Sequence, residues 1–352
     1  MTYERLRDVE VSRAFEATKR FDELAYFHVP FDQLNSDHHT EASFTRLVGN
    51  GGRVAVIGAS GAGKSSLMAS VLGPFGYDLP ESVVPLRVPV AAEQDAVVME
   101  PGAMARHLVR YVTRWASAEL FSPEERDFLD QTVAEATRRS GSGKIREFHI
   151  GLPLWLARAE FARQVQSTGR EYESHGAAAD SVEALKRMTS LFESSGLYPV
   201  FVFEDSDAWL STPGLDRSHV ANAFFMRTIR MLTKDVEAGL VVAVHEDYLK
   251  LDGYRAASEW LSGEIQVPRL LNAREGIDTI LRDRLTIAEV AAPIEAVMES
   301  DAIAWLAKFY ETGRTIRDVL RVAQRSLQHA LSDGIDAVGE QLVDQAIAEL
   351  SH

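Results

Sequence analysis

A glycine-rich run in the first quarter of the chain has the residue types and spacing of a phosphate-binding loop. Residues 58 to 65 read Gly-Ala-Ser-Gly-Ala-Gly-Lys-Ser, which fits the pattern G-x-x-x-x-G-K-[ST]. Glycines let backbone N–H groups turn toward a phosphate, and a helix N-terminus adds the positive end of its dipole. Lys64 would reach the β- and γ-phosphates, and the Ser65 hydroxyl would ligate Mg²⁺. The predicted nucleotide contacts are Gly58, Ala59, Ser60, Gly61, Ala62, Gly63, Lys64, Ser65 and Ser66.

Acidic residues directly follow a short apolar segment much later in the chain. Residues 200 to 203 read Val-Phe-Val-Phe, as in a buried strand, and 204 to 207 read Glu-Asp-Ser-Asp. Beside a P-loop the usual order is Asp and then Glu, so the order here is reversed. By position, Glu204 would bind Mg²⁺, often through water, and Asp205 would polarise the attacking water. Both are candidate metal ligands and catalytic acids, and the reversal leaves open which of them does which. A solvated acidic turn is the alternative.

A third apolar segment ends in a histidine. Residues 241 to 244 read Val-Val-Ala-Val, and His245 follows. If this segment is a neighbouring strand of the same sheet, His245 would lie near the γ-phosphate and could hydrogen-bond it or the attacking water. A purely structural histidine is the alternative, because a lone histidine often has no catalytic role.

The elements that must position these residues alternate between strands and helices. The pattern predicts strands at 53–57, 84–90, 200–203, 240–244 and 264–267, and helices at 40–47, 64–72 and 220–234. Such alternation indicates a parallel sheet with crossover helices. We predict an α/β fold, in which a P-loop NTPase core with a parallel sheet and flanking helices precedes an all-α C-terminal lid domain. The predicted divisions are an N-terminal helical segment (1–27), the core (28–268, with a helical insertion at about 100–195) and the lid (269–352).

The composition excludes several classes of protein. Of 352 residues, 46% are hydrophobic and 25% are charged, which excludes a mostly disordered or fibrous chain. Asp and Glu number 52 against 37 Lys and Arg, so the net charge of −15 excludes a uniformly basic coat for nucleic acid. Cysteine is absent, and with it disulfides and thiolate metal sites. Neither a signal peptide nor a membrane-spanning run is evident, so we expect a cytoplasmic protein without membrane contact.

The order of these elements resembles the AAA+ ATPases, particularly the initiator branch related to origin-recognition proteins. The resemblance covers about residues 25–350 and rests on the P-loop, the acidic segment and the helical tail. The lid of that family carries Gly-x-x-Arg-x-x-Leu, which residues 313 to 320 (Gly-Arg-Thr-Ile-Arg-Asp-Val-Leu) fit with one residue inserted. The resemblance implies that Arg317, or alternatively Arg314, is the sensor arginine. It also implies that Arg255 reaches the nucleotide of a neighbouring subunit.

The resemblance further implies an enzyme that binds and hydrolyses ATP with Mg²⁺. Such a protein would assemble into a ring or filament of identical subunits and would regulate or remodel a protein or nucleic-acid partner. The alternatives are a slow nucleotide switch and a non-hydrolysing scaffold, either recruiting a separate effector as in transposition or phage defence. A small-molecule kinase also uses a P-loop, but such enzymes rarely carry a lid of this kind.

The expected relation to DNA follows from charge and from the length of the chain. Origin-binding relatives continue into a winged-helix domain, whereas this sequence ends with the predicted lid, so site-specific DNA binding is not expected. At −15, binding to DNA would be weak, non-specific and salt-dependent. Candidate patches are the loop from Arg138 to Lys144, and Arg269 with Arg274.

Overall fold

Five strands form one parallel sheet in the computed structural model of the chain. The structure describes residues 2–35, 39–73, 79–90, 93–118, 164, 180–204, 206–209 and 216–350. The strands are β1 (Arg53–Ile57), β2 (Val83–Arg87), β3 (Tyr198–Phe203), β4 (Gly239–Val244) and β5 (Gly263–Gln266). They lie in the order β2-β3-β4-β1-β5, and each adjacent pair is parallel. The predicted parallel sheet is therefore confirmed, with β2 and β5 at its edges.

Alternate residues of each strand face opposite sides of the sheet, as strand geometry requires. In β1, Val54 and Val56 join one apolar core, and Ala55 and Ile57 join the other. Both cores are covered by helices, which explains why β1, β3 and β4 are apolar and buried beyond their first residue. The C-terminal ends of all five strands meet at one edge, where the phosphate-binding loop begins.

Helices cover both faces of the sheet. Those before β4 are α1 (Thr2–Ser12), α2 (Phe21–Tyr26), α3 (Phe31–Leu34), α4 (Thr40–Gly49), α5 (Lys64–Leu72), α6 (Asp95–Met99), α7 (Pro101–Ala118), α8 (Asp180–Ser194) and α9 (Ser218–Ala223). Side chains from α2, α4 and α5 contribute to one core, and side chains from α7, α8 and α9 contribute to the other. Of the predicted helical insertion at about 100–195, residues 119–163 and 165–179 lie outside the described residues.

The helix predicted at 220–234 is present, but much of it is wound as a π-helix instead of an α-helix. After α9 the chain continues as π-helical turns at Phe224–Ile229 and Met231–Asp235. Phe224, Thr228 and Leu232 recur every fourth residue, and each has 0% of its surface exposed. Such wider turns occur mostly as local insertions within α-helices, and here they lie on a face that is buried.

The C-terminal part of the described chain is helical. After a short helix α10 (Asp252–Ser258), it contains α11 (Ala273–Ile287), α12 (Ser300–Glu311), α13 (Ile316–Asp333) and α14 (Glu340–Leu350). Thr315 and Asp318 form a reciprocal capping box at the start of α13, and Gly334 ends that helix with φ 67°. A reciprocal cap and a glycine in the left-handed region are the usual start and end signals of a helix. Among the described residues, no helix combines the length and the apolarity needed to cross a bilayer.

The N-terminal segment connects the two parts of the molecule. Leu6, Val9 and Phe15 are buried in the core of the C-terminal helices, whereas Phe21 and Phe31 are buried against the sheet. This segment therefore shares its core with residues more than 250 positions away. The predicted division of the chain at residues 27 and 268 stays a prediction.

Two polar side chains, those of Asn35 and Arg284, join the first 35 residues to the C-terminal part of the chain through four hydrogen bonds. The side chain of Asn35 donates to the carbonyl of Arg269 at 3.1 Å and accepts the N–H of Leu271 at 2.8 Å. Nη1 of the buried Arg284 donates to the carbonyls of Ala14 and Glu16 at 3.0 and 2.9 Å. Burial lowers the pKa of Arg284 to about 10, and the nearby carboxylate of Glu16 opposes that shift.

Candidate nucleotide-binding site

The glycine-rich loop joins the end of β1 to the start of α5, as predicted. The Gly58 N–H donates to the carbonyl of Val244 at 3.1 Å, which fixes the loop to β4. Gly61 has φ 81° and Gly63 has φ 110°, both in the left-handed region that favours glycine. The loop therefore bends so that the N-terminus of α5, with its free N–H groups and positive dipole end, faces a cavity.

Lys64 occupies the centre of the loop and is almost completely buried. Its Nζ donates to the carbonyls of Gly58 and Ala59 at 2.8 and 3.0 Å and to Oδ2 of Asp207 at 3.1 Å. These three partners use all the donors of the ammonium group. Burial lowers the pKa of Lys64 below its ordinary value, and the carboxylate of Asp207 opposes that shift.

Asp207 is the acidic residue that meets Lys64, and the sequence analysis did not single it out as a site residue. It lies in a 3₁₀ turn, Ser206–Trp209, that follows β3. Ser206 anchors this turn twice, because its hydroxyl donates to the carbonyl of Ala243 and its own carbonyl accepts the Tyr248 hydroxyl. The available signal in the sequence was that Asp207 is the second acid of an acid-x-acid pattern.

Arg317 brings the C-terminal helices into contact with the loop. Its N–H donates to the carbonyl of Gly61 at 3.2 Å, and its Nη1 donates to the Ser60 hydroxyl at 3.3 Å. A Cβ placed on Gly61 would lie 2.7 Å from Cβ of Arg317 and 2.7 Å from the hydroxyl of Thr315. Only glycine lets the start of α13 approach the loop this closely. Arg314, the alternative, holds its guanidinium 5.5 Å from the Phe309 ring centroid instead.

An open cavity lies between the loop, the N-terminal segment and the C-terminal helices. Its polar side is formed by residues 61–66 of the loop, with Asp207 and Arg317. The rest of its lining is mostly apolar and includes Phe27, Val29, Leu34, Leu270, Ile280, Tyr310, Ile316 and Leu320. A polar end beside an apolar wall suits a ligand with a charged tail and a flat, weakly polar base.

A buried chain of hydrogen bonds links α4 and the N-terminal segment to the start of α5. Nδ1 of His28 lies 3.0 Å from the Ser66 hydroxyl, and Nε2 of His28 lies 2.9 Å from Oε1 of Glu41. The same Oε1 accepts the N–H of Phe31 at 2.9 Å. Burial raises the pKa of Glu41, but the hydrogen bonds from His28 and from Phe31 outweigh it, and the net shift is downward.

Three other predicted site residues lie outside the wall of this cavity. Glu204 is buried and forms an ion pair with Nε of Arg87 at the end of β2. Nδ1 of His245 accepts the N–H of Asp247 at 3.1 Å, so Nε2 carries the proton of the neutral ring. Arg255, on α10, is 67% exposed and lies 3.5 Å from Asp252. Their roles stay predictions.

Asp205 lies outside the described residues, so its predicted part in water activation also stays a prediction.

The residues around Lys64 fit a magnesium ion. Oδ1 of Asp207 is buried without a hydrogen-bond partner, and Ser65 lines the same cavity. Within the described ranges, no three His, Asp or Glu side chains lie close enough to hold a metal by themselves. Mg²⁺ is commonly held by one or two carboxylates together with substrate phosphates. An unpaired carboxylate oxygen beside a hydroxyl and a phosphate-binding loop matches that donor set.

The fold matches a solved structure. The ORC2 protein of Aeropyrum pernix, solved in ADPNP and ADP complexes, aligns with 92% of this chain and with 70% of its own, at a TM-score of 0.50 and 13% identity. A scan of protein-family models gives no match, and a search of curated proteins gives no significant one. At this identity the likeness shows the fold alone: an α/β core with a P-loop, followed by a helical C-terminal region. The resemblance inferred from the sequence is confirmed at that level.

Proposed function

We propose that this chain is an AAA+-type ATPase that binds ATP and Mg²⁺ between the glycine-rich loop and the C-terminal helices. The observation that carries the proposal is that Lys64, Asp207 and Arg317 converge on one cavity at the N-terminus of α5. A buried lysine, a helix N-terminus and an arginine with a long side chain are the groups that bind a chain of phosphates. The likeness to a protein solved with ADPNP and ADP supports the same ligand class.

Each part of the site would have its own task. Backbone N–H groups of residues 61–66 and the ammonium of Lys64 would bind the phosphates, with the Ser65 and Ser66 hydroxyls beside them. The guanidinium of Arg317 would bind the γ-phosphate and so keep the start of α13 docked on the loop. Bound Mg²⁺ would neutralise charge on the phosphate oxygens. The apolar wall around Phe27, Val29 and Tyr310 would hold the base.

Hydrolysis needs groups that orient water. Asp205 is the proposed base, with Glu204 at the metal and His245 as hydrogen-bond donor through Nε2. The ion pair between Glu204 and Arg87 must then open, because a carboxylate held by a guanidinium is a poor metal ligand. Arg255 is exposed and is proposed to complete the site of an adjacent subunit in a ring or filament.

We further propose that this nucleotide-dependent assembly regulates or remodels a protein or nucleic-acid complex. Nucleotide binding, hydrolysis and assembly can each be tested without it.

The deciding experiment is ATP binding by Lys64→Ala, measured by isothermal titration calorimetry. Loss of a buried, charge-assisted phosphate contact should cost about 2–4 kcal/mol, which is tens- to several-hundred-fold in affinity. Lys186→Ala is the matched control, since Lys186 is exposed on α8. The control should bind ATP as the unaltered protein does. Undiminished affinity in Lys64→Ala would overturn the assignment of the loop.

A slow nucleotide switch is the second candidate. The engagement of Glu204 by Arg87 favours it, because an acid that must first leave an ion pair slows turnover. Single-turnover hydrolysis measured beside ATP affinity separates the two functions. Tight ATP binding with turnover slower than one per hour, and acceleration by a partner, would favour the switch.

A further inference from the structure

The carboxylate of Asp207 stands where a phosphate oxygen would contact Lys64. Nζ of Lys64 is 3.1 Å from Oδ2 of Asp207, and its two remaining donors are taken by the carbonyls of Gly58 and Ala59. Those carbonyls belong to the loop itself and move only with it. An arriving phosphate must therefore replace Asp207, since Asp207 is the partner of Lys64 that lies outside the loop.

The second carboxylate oxygen of Asp207, Oδ1, lacks the hydrogen-bond donor that a buried acceptor normally has. Oδ1 is buried and has no hydrogen-bond partner. A buried carboxylate oxygen without a donor or a cation is costly, so such an atom in a folded protein indicates a missing partner. Asp207 also lines the cavity beside the loop. The missing partner of Oδ1 can therefore arrive with the ligand.

We propose that Asp207 competes with the nucleotide's phosphates for Lys64 and thereby makes nucleotide binding depend on Mg²⁺. This inference rests on the proposed function. Without a divalent cation, the triphosphate brings several negative charges against a carboxylate in a largely buried site, and the two repel. With Mg²⁺, the phosphate oxygens and Oδ1 of Asp207 can both be attracted to the same cation, which offsets the repulsion between them.

The surroundings of Glu204 make Asp207 the better candidate for a carboxylate that competes with the nucleotide's phosphates. Glu204 already has a cationic partner in Arg87 and lies outside the wall of the cavity. The cationic partner of Asp207 is Lys64, which an incoming phosphate would also contact. The negative charge of Asp207 therefore loses that partner whenever a nucleotide binds. The 3₁₀ turn that carries Asp207 is anchored through Ser206 to β4 and Tyr248, so the carboxylate stays beside the loop when a phosphate takes its place on Lys64.

The test compares ATP affinity with Mg²⁺ and with EDTA for the unaltered protein and for Asp207→Asn. Asparagine has the same shape and keeps an oxygen for Lys64, but it has no charge. Titration calorimetry with ATP supplies both affinities. The matched control is Asp301→Asn, which makes the same change of charge at an exposed position in the first turn of α12. Thermal unfolding of each nucleotide-free variant verifies that it is folded.

We expect Asp207→Asn to bind ATP in EDTA about tenfold more tightly than the unaltered protein, the size of one charge-assisted contact. Its affinity should change less between EDTA and Mg²⁺, whereas Asp301→Asn should retain the full metal dependence. Equal metal dependence in the unaltered protein and in Asp207→Asn would overturn the inference and leave the proposed function intact. If the unaltered protein binds ATP in neither condition, the proposed function fails, and the inference fails with it.

Discussion

Replacement of Glu41 by glutamine tests the buried chain that links the N-terminal segment to the phosphate-binding loop. Only 5% of the Glu41 side chain is exposed, and its Oε1 accepts from His28 and from the N–H of Phe31, both at 2.9 Å. Glutamine keeps the size and one oxygen acceptor but removes the charge. Both hydrogen bonds then change from charge-assisted to neutral.

The size of the effect follows from those two bonds. A hydrogen bond to a charged group contributes about 1.5–3 kcal/mol and a neutral one about 0.5–1.5 kcal/mol, so each conversion costs roughly 1–1.5 kcal/mol. We therefore expect Glu41→Gln to lower the free energy of unfolding by about 2–3 kcal/mol at pH 7. Urea denaturation followed by circular dichroism measures the difference. Glu311→Gln, at an exposed position on α12, is the control and should lie within about 0.5 kcal/mol of the unaltered protein.

The pH dependence gives a second, independent readout. Because the pKa of Glu41 is lowered in the folded protein, its contribution is present above the unfolded pKa and is lost as the pH falls through the folded pKa. The ordinary value is 4.5, so the difference between the unaltered protein and Glu41→Gln should shrink as the pH falls below about 4.5. A destabilisation below about 0.5 kcal/mol at pH 7, or a difference that stays constant down to pH 3, would refute the reasoning.

Three further substitutions test the contact with the C-terminal helices and the assembly. Gly61→Ala should weaken ATP binding severalfold more than Gly51→Ala in titration calorimetry. Both glycines have positive φ, but a Cβ on Gly61 meets Arg317 and Thr315 at 2.7 Å, whereas one on Gly51 meets nothing within 4 Å. Arg317→Ala should lower the affinity for ATP about tenfold more than that for ADP, whereas Arg314→Ala should leave that ratio unchanged; an unchanged ratio in Arg317→Ala would contradict a contact with the γ-phosphate. Mixing inactive Arg255→Ala with inactive Lys64→Ala should restore part of the ATPase rate if Arg255 acts on a neighbouring subunit, since a trans arginine is worth about 10³–10⁵ in rate. A fully active Arg255→Ala protein would exclude that mechanism.

Local signals in the sequence were sufficient for much of the fold. The strand β1 and the helix α5 have the predicted bounds, because an apolar run buried on both faces and a glycine-lysine turn are encoded by adjacent residues. The reciprocal cap of Thr315 and Asp318 is likewise a contact across three positions. The π-helical winding after α9 was not predicted, since it depends on which side chains the sheet and the neighbouring helices bury.

In the candidate site, too, some features were predictable from adjacent residues and others depended on the tertiary structure. The loop from Gly58 to Ser65 is a local motif, and its spacing alone predicted its position between a strand and a helix. The meeting of Lys64 with Asp207 joins residues 143 positions apart, and that of Arg317 with Ser60 joins residues 257 apart. The acid-x-acid pattern marks Asp207 as a candidate but does not show that its carboxylate meets Lys64, because that contact depends on the 3₁₀ turn after β3. The packing of the N-terminal segment against the C-terminal helices was also decided by the tertiary structure, since apolar residues at helical spacing indicate a buried face without indicating what covers it.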